Sequence, residues 1–237
     1  MSMGYRISFA GGVFHITTRG NNRERVFLDE SDFERYKALL RRYRARFDFK
    51  LYAYALLPNH VHLLLETTPA GSISKIMHAV NTAYAMYFNH KYNHIGHVWQ
   101  GRFHSVVVDS ENYLLEIKRY MDLNPVRAAI AKKPEDYEWT SYRRYARGEP
   151  DDLVEPHELY LGLGKQGRDC QRAYREFVAE RMEAGIGQRE PVYTRAIFIG
   201  GDDFVGRMER AYGKEIWPKY RRLLKRLNDL RSAALPE

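Results

Sequence analysis

The sequence predicts an α+β protein in which an antiparallel sheet carries helices on one face and a helical extension follows. Short segments of alternating apolar and polar residues, rich in β-branched side chains, predict strands. Longer segments in which apolar residues recur every three to four positions predict helices. The elements follow one another in the order β-α-β-β-α-β-α, and beyond about residue 156 the remaining segments have helical spacing.

Each element is predicted from its pattern and from the residues at its boundaries. The predicted strands are residues 13–18, 49–57, 60–66 and 101–108, with a turn at Pro58-Asn59 joining the second and third. The helices are predicted to begin at side chains that cap N-termini, namely Ser31 or Asp32, Ser72, and Asp109 or Ser110. These helices should end near Phe47, Tyr92 and Pro125.

The first six elements match the ferredoxin-like β-α-β-β-α-β arrangement, with helices on one face of the sheet. A stretch rich in Gly, Pro and acidic residues at 146–156 predicts a linker between a domain at 1–147 and a basic helical extension at 148–237. Helices in the extension are predicted at 156–162, 168–184, 201–212 and 214–232. Its basic segment 219–227 could bind a DNA backbone, pack on a partner or be solvated.

The composition favours a cytoplasmic protein with a polyanionic partner. The net charge is +8, which favours nucleic acid, although solubility alone could explain it. No apolar run approaches the roughly 18 residues that a membrane span needs, and the N-terminus lacks the pattern of a signal peptide. Cys170 is the only cysteine, so no intrachain disulfide can form.

Two histidines lie at the start of the third predicted strand. His60 and His62 are separated by Val61, so both should project from one face of the strand while Val61 points into the core. Two imidazoles at this spacing can bind one metal ion, although two surface histidines would have the same pattern. Packing or surface roles are expected for His15, His78, His90, His94, His97, His104 and His157, with His104 facing the same site as the alternative.

A second candidate feature is the segment RYMDLNP at 119–125. Tyr120 and Asn124 are four residues apart and should share one helix face, together with Tyr113. The amide oxygen of Asn124 could bind a hard cation such as Mg²⁺. Such an ion would polarise a phosphodiester and favour attack by the Tyr120 phenolate. Alternatively, Tyr120 is a core aromatic residue of an amphipathic helix.

Five segments in this order resemble the single-tyrosine HUH transposases, and within them the REP-associated tyrosine transposases. The segments are RGNNRERVF at 19–27, LLPNHVHLLLE at 56–66, HVWQGRFHSVVV at 97–108, NYLLEIKRYMDLNPVRAAI at 112–130 and DYEWTSY at 136–142. The similarity covers about residues 5–147. The motif HVH alone would be unspecific, whereas the ordered set of five segments is specific.

The resemblance implies a site and a partner. It implies Mg²⁺ or Mn²⁺ held by His60 and His62, with Tyr120 as the nucleophile. Insertion-sequence relatives carry a metal-binding Gln four residues after the tyrosine, and here that position is Asn124, one methylene shorter. The implied substrate is single-stranded hairpin DNA from REP-like palindromes, cleaved through a 5′-phosphotyrosine and rejoined without ATP. Candidate DNA contacts are Arg19, Asn21, Asn22, Arg23, Arg41, Arg42 and Arg102.

Two other functions stay open at the level of sequence. One is a domesticated hairpin DNA-binding protein that does not cleave, and the other is a metal-dependent phosphodiesterase without a covalent step. The presence of all four candidate site residues favours the transposase. We expect a monomer or homodimer that is associated with the nucleoid in the cytoplasm and has no membrane partner.

Overall fold

The computed structural model describes residues 7–186, 193 and 196–213 of the chain. The strands in this part form one sheet. Its strands are Val13–Arg19 (β1), Lys50–Leu57 (β2), His60–Glu66 (β3), His104–Val108 (β4) and Phe198–Ile199 (β5). The strand order is β2-β3-β1-β4-β5. The first four strands are antiparallel in the ferredoxin-like order, whereas β5 runs parallel to β4.

Helices cover both faces of this sheet. They are Glu30–Phe47 (α1), Ile73–Tyr92 (α2), Leu114–Asp122 (α3), Asn124–Arg127 (α4), Tyr142–Arg147 (α5), Glu158–Leu161 (α6) and Gly167–Glu183 (α7), and residues 202–213 are also helical. The larger core cluster joins α1 and α2 to one face. A second cluster joins α3 to the other face. The α+β class and the predicted element order are therefore confirmed. None of the described helices is long and apolar enough to cross a bilayer.

Alternation along the strands assigns side chains to the two faces. On β3, Val61 belongs to the core under α1 and α2, whereas Leu64 belongs to the core under α3. Successive residues of a strand point to opposite faces, so His60 and His62 lie on the α3 side. This positions the candidate site between the sheet and α3.

Four element boundaries differ from the predictions for local chemical reasons. Helix α3 begins at Leu114 rather than after Asp109 or Ser110, because the Asp109 carboxylate accepts hydrogen bonds within the preceding turn. Helix α1 begins at Glu30, because Asp29 rather than Ser31 or Asp32 forms the N-cap in a capping box. Strand β4 begins at His104, so exposed Arg102 precedes it. The helix that carries Tyr120 ends at Asp122, and Asn124 opens the separate short helix α4.

The predicted linker at 146–156 packs against the core. Leu153 and Val154 are buried, and the backbone oxygen of Leu153 accepts a hydrogen bond from Arg44 (2.7 Å). The predicted helices at 156–162, 168–184 and 201–212 correspond to α6, α7 and residues 202–213. The predicted helix at 214–232 and the basic segment 219–227 lie outside the described residues. The division into two domains at residue 147 stays a prediction.

A buried polar cluster attaches α3 to α7. Lys118 and Asp122, one turn apart on α3, form an ion pair (2.7 Å), and the Tyr174 hydroxyl of α7 donates to Asp122 (2.6 Å). All three side chains are buried. Burial lowers the pKa of Lys118, while the ion pair with Asp122 opposes that shift. Because buried charges must be paired and hydrogen-bonded, this cluster holds α3 in one position.

Replacing Tyr174 by Phe should lower the free energy of unfolding by about 1.5–3 kcal/mol, because the lost hydroxyl bonds to charged groups. Urea unfolding would measure the change. The matched control is Tyr160→Phe, since the Tyr160 hydroxyl donates to a neutral acceptor, the Tyr145 carbonyl (2.8 Å). If the two variants lose equal free energies of unfolding, the hydrogen bonds to the charged cluster are no stronger than the bond to the neutral carbonyl, and the prediction is wrong.

A second ionic cluster joins the start of α1 to the end of α2. The Lys91 ammonium contacts Asp29 (2.7 Å) and Asp32 (2.8 Å). The hydrogen bond from Lys91 holds the pKa of Asp29 well below its ordinary value. Burial alone would raise the pKa of Asp32, but hydrogen bonds from Lys91 and from the Leu28 amide lower it.

This cluster should make stability depend on pH in the acid range. Because the folded pKa values of Asp29 and Asp32 lie below the ordinary 3.8, their contribution is complete above about pH 5 and is lost as the pH falls through the folded values. We expect Lys91→Met to destabilise the protein at neutral pH and progressively less below about pH 4. Urea unfolding across that range, with exposed Lys75→Met as the control, would test this. A destabilisation that stays constant with pH would contradict it.

Candidate active site

The candidate site begins with the histidine pair of β3. His60 is the first residue of the strand and His62 is buried, at 1% exposure. Their ring centroids lie 5.0 Å apart. The strand geometry therefore brings the two imidazoles together on the α3 side of the sheet, as the H-x-H spacing requires.

His62 is oriented by a chain of hydrogen bonds. His15 of β1 donates from Nδ1 to the Tyr193 carbonyl (2.8 Å), so its Nε2 acts as the acceptor in the neutral ring. That Nε2 lies 2.9 Å from His62 Nδ1, which therefore carries a proton. Thr17 Oγ1 also lies 3.2 Å from this nitrogen. These hydrogen bonds leave the lone pair of His62 on Nε2, and this is the nitrogen with which His62 would bind a metal.

His60 is held in the same tautomer as His62, with the proton on Nδ1, by a hydrogen bond to Asn59. Asn59 donates its amide nitrogen to the Arg23 carbonyl (3.1 Å), so its oxygen faces His60. His60 Nδ1 lies 2.6 Å from that oxygen and must donate to it. The lone pair of His60 is therefore also on Nε2. Histidines that bind metals are held in this way, with the second ring nitrogen bonded to an acceptor, so the pair fits a divalent ion.

Tyr120 lies directly beside this pair. The residue is buried, at 3% exposure, and its ring centroid is 6.1 Å from the centroids of both His62 and His15, in edge-on contact. Helix α3 packs on the histidine face of the sheet, and this packing brings together side chains that are far apart in sequence. The phenol is thus next to the histidines rather than in the core beneath the other face.

Asn124 follows Tyr120 across the break between α3 and α4. It is buried, and its Nδ2 donates to the Tyr120 carbonyl (3.0 Å), so only its Oδ1 could bind a cation. Among the described residues, no group of three or more His, Cys, Asp or Glu side chains is placed to hold a metal. An ion on the histidine pair would need amide, water or substrate phosphate oxygens as further ligands, which suits Mg²⁺. The role of Asn124 as a ligand stays a prediction.

Residues 9–124 match the family model described as transposase, IS200 like. This part of the chain is similar to the IS200-like transposases. The matched range includes the histidine pair, His15, Tyr120 and Asn124. A comparison with curated proteins found no significant match.

Two solved structures are similar to this chain. One is described as a REP-associated tyrosine transposase bound to a REP hairpin, with 22% identity and a TM-score of 0.52, and the match covers 65% of this chain and 94% of that chain. The other is a putative transposase from Deinococcus radiodurans, with 23% identity, a TM-score of 0.36, and coverage of 52% and 95%. The first likeness shows a shared fold.

Two further histidines lie on the same face of the sheet as the histidine pair. His15 was expected to have a packing or surface role; it is buried, and its ring also bonds to His62, a contact that the sequence did not suggest. The missing information was the register, which places Thr17 opposite His62 and puts His15 on the same face. His104 also pairs with Thr17, so it faces the histidine side of the sheet as considered from the sequence.

The candidate DNA contacts fall into two groups. Asn22 and Arg23 are exposed in a short 3₁₀ helix directly after β1, at the same end of the sheet as His60. Arg102 is exposed and lines a separate cavity of about 720 Å³ between α2 and the loop that precedes β4. Arg19 and Asn21 are half-buried beside the first group.

The two arginines of α1 lie elsewhere and already have partners. Arg41 forms an ion pair with Asp152 (2.9 Å), and the pair raises the pKa of the guanidinium. Arg42 packs over the Tyr43 ring at 5.8 Å from its centroid. Because the charge of Arg41 is already compensated, its contact with DNA is the less favoured of these predictions.

Proposed function

We propose that this protein is a transposase that cleaves and rejoins single-stranded DNA at the foot of a hairpin, with Tyr120 as the covalent nucleophile. The single observation that carries the proposal is the packing of the Tyr120 ring against the His62 ring, within the family-matched range. A domesticated DNA-binding protein would not need a tyrosine beside a histidine pair that is oriented by its own hydrogen bonds.

The chemistry can be followed on the residues of this chain. Tyr120 Oη attacks the scissile phosphorus, the bond from phosphorus to O3′ breaks, and the product is a 5′-phosphotyrosine with a free 3′-hydroxyl. Attack by a 3′-hydroxyl on that linkage reverses the step, releases the phenol and requires no ATP. His60 and His62 would hold Mg²⁺ or Mn²⁺, together with Asn124. Such an ion would polarise the phosphate and neutralise the charge that develops on it.

The positions of the other side chains follow from this scheme. The hydrogen bonds through His15 fix the His62 ring with its lone pair on Nε2, the nitrogen that would bind the metal, so little reorganisation would be needed during the reaction. Asn59 does the same for His60. Each chain supplies one candidate nucleophile, so two strand cuts need two protomers or two successive rounds.

We further propose hairpin DNA from REP-like palindromes as the substrate. The fold is shared with a transposase that is described as bound to a REP hairpin, and the net charge of +8 favours a polyanion. The exposed residues Asn22 and Arg23 lie at the same end of the sheet as the histidine pair, where a strand entering the site could contact them. Action on chromosomal DNA would place the protein in the cytoplasm, at the nucleoid.

A labelled hairpin with a single-stranded flank tests the proposal. With Mn²⁺ present, a strand labelled at its 3′ end should remain attached to the protein on a denaturing gel, because that fragment carries the 5′-phosphate. A strand labelled at its 5′ end should give a shorter free product. Binding without any cleavage would support the domesticated protein, and cleavage without an adduct would support a phosphodiesterase.

A further inference from the structure

Tyr193 contacts both the proposed nucleophile and the hydrogen bonds that orient His62. Its ring centroid lies 4.7 Å from the centroid of the Tyr120 ring, and the two ring planes are inclined by 50°. Its backbone carbonyl accepts the hydrogen bond from His15 Nδ1 (2.8 Å). Tyr193 lies in the extension beyond residue 147 and outside residues 9–124, the range that the family model matches.

The ring of Tyr193 restricts the orientation of the Tyr120 phenol. The rings of His15 and His62 lie edge-on to Tyr120, and the guanidinium carbon of Arg127 lies 4.6 Å from the centroid of its ring. Tyr193 adds a fourth contact, at a centroid distance within the range of about 4.5–7 Å in which aromatic pairs attract each other. A phenol with these neighbours has few orientations, so its oxygen is held in a narrow range of positions.

The carbonyl of Tyr193 acts on the histidine pair through His15. It accepts the Nδ1 proton of His15, so Nε2 of His15 can accept the proton on His62 Nδ1 (2.9 Å). A backbone carbonyl often orients a metal-binding histidine directly, by bonding to its second ring nitrogen. Here the carbonyl acts one residue further away, and a displacement of Tyr193 would be transmitted through His15 to His62.

The chain after Tyr193 is fixed to the sheet beside the site. Ala196 is buried in the core cluster that contains Tyr120. The carbonyls of Ile197 and Ile199 accept hydrogen bonds from the amides of Val107 (2.8 Å) and Asp109 (2.7 Å), and β5 pairs with β4. Pairing with β4 therefore anchors the backbone that carries Tyr193.

We propose that Tyr193 is a positioning residue for the cleavage reaction, which holds the Tyr120 ring by packing and the His62 ring through His15. The two contacts keep the nucleophile and a proposed metal ligand in one relative position. Reacting atoms must meet in a near-attack geometry, and a displacement of about 1 Å can lower a rate by about 10²-fold. The role in cleavage rests on the proposed function, whereas the connection to His62 does not.

Single-turnover cleavage of a flanked hairpin with Mn²⁺ tests the ring contact. Tyr193→Ala should lower the maximal rate by about 10–100-fold without changing the hairpin concentration needed for half-maximal rate. Tyr193→Phe keeps the ring and should cleave at nearly the wild-type rate. The control is Tyr212→Ala, because Tyr212 is a half-buried residue of the extension that stacks on Phe9 (5.7 Å) beside the other core cluster. This control should cleave normally.

Calorimetry of Mn²⁺ binding without DNA tests the connection to His62. Tyr193→Ala should bind Mn²⁺ about three- to tenfold more weakly, which is less than the loss of about 10–100-fold expected when a partner directly behind a ligand is removed. His15→Phe removes the connection, so in that background Tyr193→Ala should have no further effect on the Mn²⁺ affinity. Tyr212→Ala should bind Mn²⁺ as the wild type does.

Several results would overturn the proposal. They are a wild-type rate in Tyr193→Ala, an equal rate loss in Tyr212→Ala, and a loss confined to hairpin affinity. A lower rate with unchanged Mn²⁺ binding, or an effect on Mn²⁺ binding that persists with His15→Phe, would overturn the connection to His62. If Tyr193→Ala does not fold, Tyr193→Leu takes its place, because leucine fills apolar space without a planar ring. Normal cleavage by Tyr193→Leu would then overturn the ring contact.

The failure of this inference is distinguishable from failure of the proposed function. If the wild-type chain does not cleave but Tyr193→Ala weakens Mn²⁺ binding through His15, the connection to His62 stands and the covalent mechanism fails. If Tyr193→Ala and the wild type cleave equally and both form the adduct, the inference fails alone. A wild-type chain that neither cleaves nor binds Mn²⁺ overturns both.

Discussion

Tyr120→Phe should lose cleavage of hairpin DNA by about 10³-fold or more, because removing a covalent nucleophile eliminates the intermediate. The fold should be retained, since the ring keeps its contacts with His15, His62 and Arg127 and only one oxygen is removed. Affinity for the hairpin should also be close to that of the wild type. Single-turnover cleavage with Mn²⁺ and a gel assay for the protein–DNA adduct would measure the two effects.

The matched control is Tyr113→Phe. Tyr113 precedes α3 and packs at the edge of the same core cluster, so it tests loss of a phenol close to the site. This control should cleave at nearly the wild-type rate. If Tyr120→Phe cleaves normally and Tyr113→Phe does not, the nucleophile is Tyr113. If both variants cleave without an adduct, water is the nucleophile and the protein is a phosphodiesterase.

The elements that the sequence predicted well are those specified by local pattern. The hairpin of β2 and β3 and the helices α1, α2 and α7 have periodic apolar residues and clear boundaries, and their positions agree with the structure to within a few residues. Strand β5 was missed, because its two residues are too few to form a pattern and pair only with the distant β4. Pairing of this kind depends on tertiary packing.

The candidate site was predictable only in part, for a related reason. The pattern H-x-H and the spacing of Tyr120 from Asn124 are local, so the sequence could suggest them. The contact between His15 and His62 depends on the register of β1 against β3. A shift of one residue in that register would move His15 to the opposite face, and no local signal fixes it.

His60→Ala should lower cleavage by at least about 10²-fold while it leaves most of the hairpin affinity. Loss of a partner behind a metal ligand already costs about 10–100-fold, so loss of a ligand should cost no less. His60 is the better choice of the pair, because His62 is buried and its removal would disturb His15 and Thr17. Affinity should persist, since backbone contacts are spread over many basic residues. Single-turnover cleavage over a range of Mn²⁺ concentrations, with hairpin binding measured separately, would test this.

The exposed His90 of α2 supplies the control, since His90→Ala removes an imidazole remote from the histidine pair. If His60 binds the metal, His60→Ala should need a higher Mn²⁺ concentration for half-maximal cleavage, and calorimetry without DNA should show weaker Mn²⁺ binding. If His60 acted as a general base instead, its replacement would lower the cleavage rate without changing the Mn²⁺ concentration needed for half-maximal cleavage. Normal cleavage by His60→Ala at low Mn²⁺ would mean that the hydrogen bond from His60 to Asn59 orients a ring with no part in the reaction. The metal would then have to be bound elsewhere.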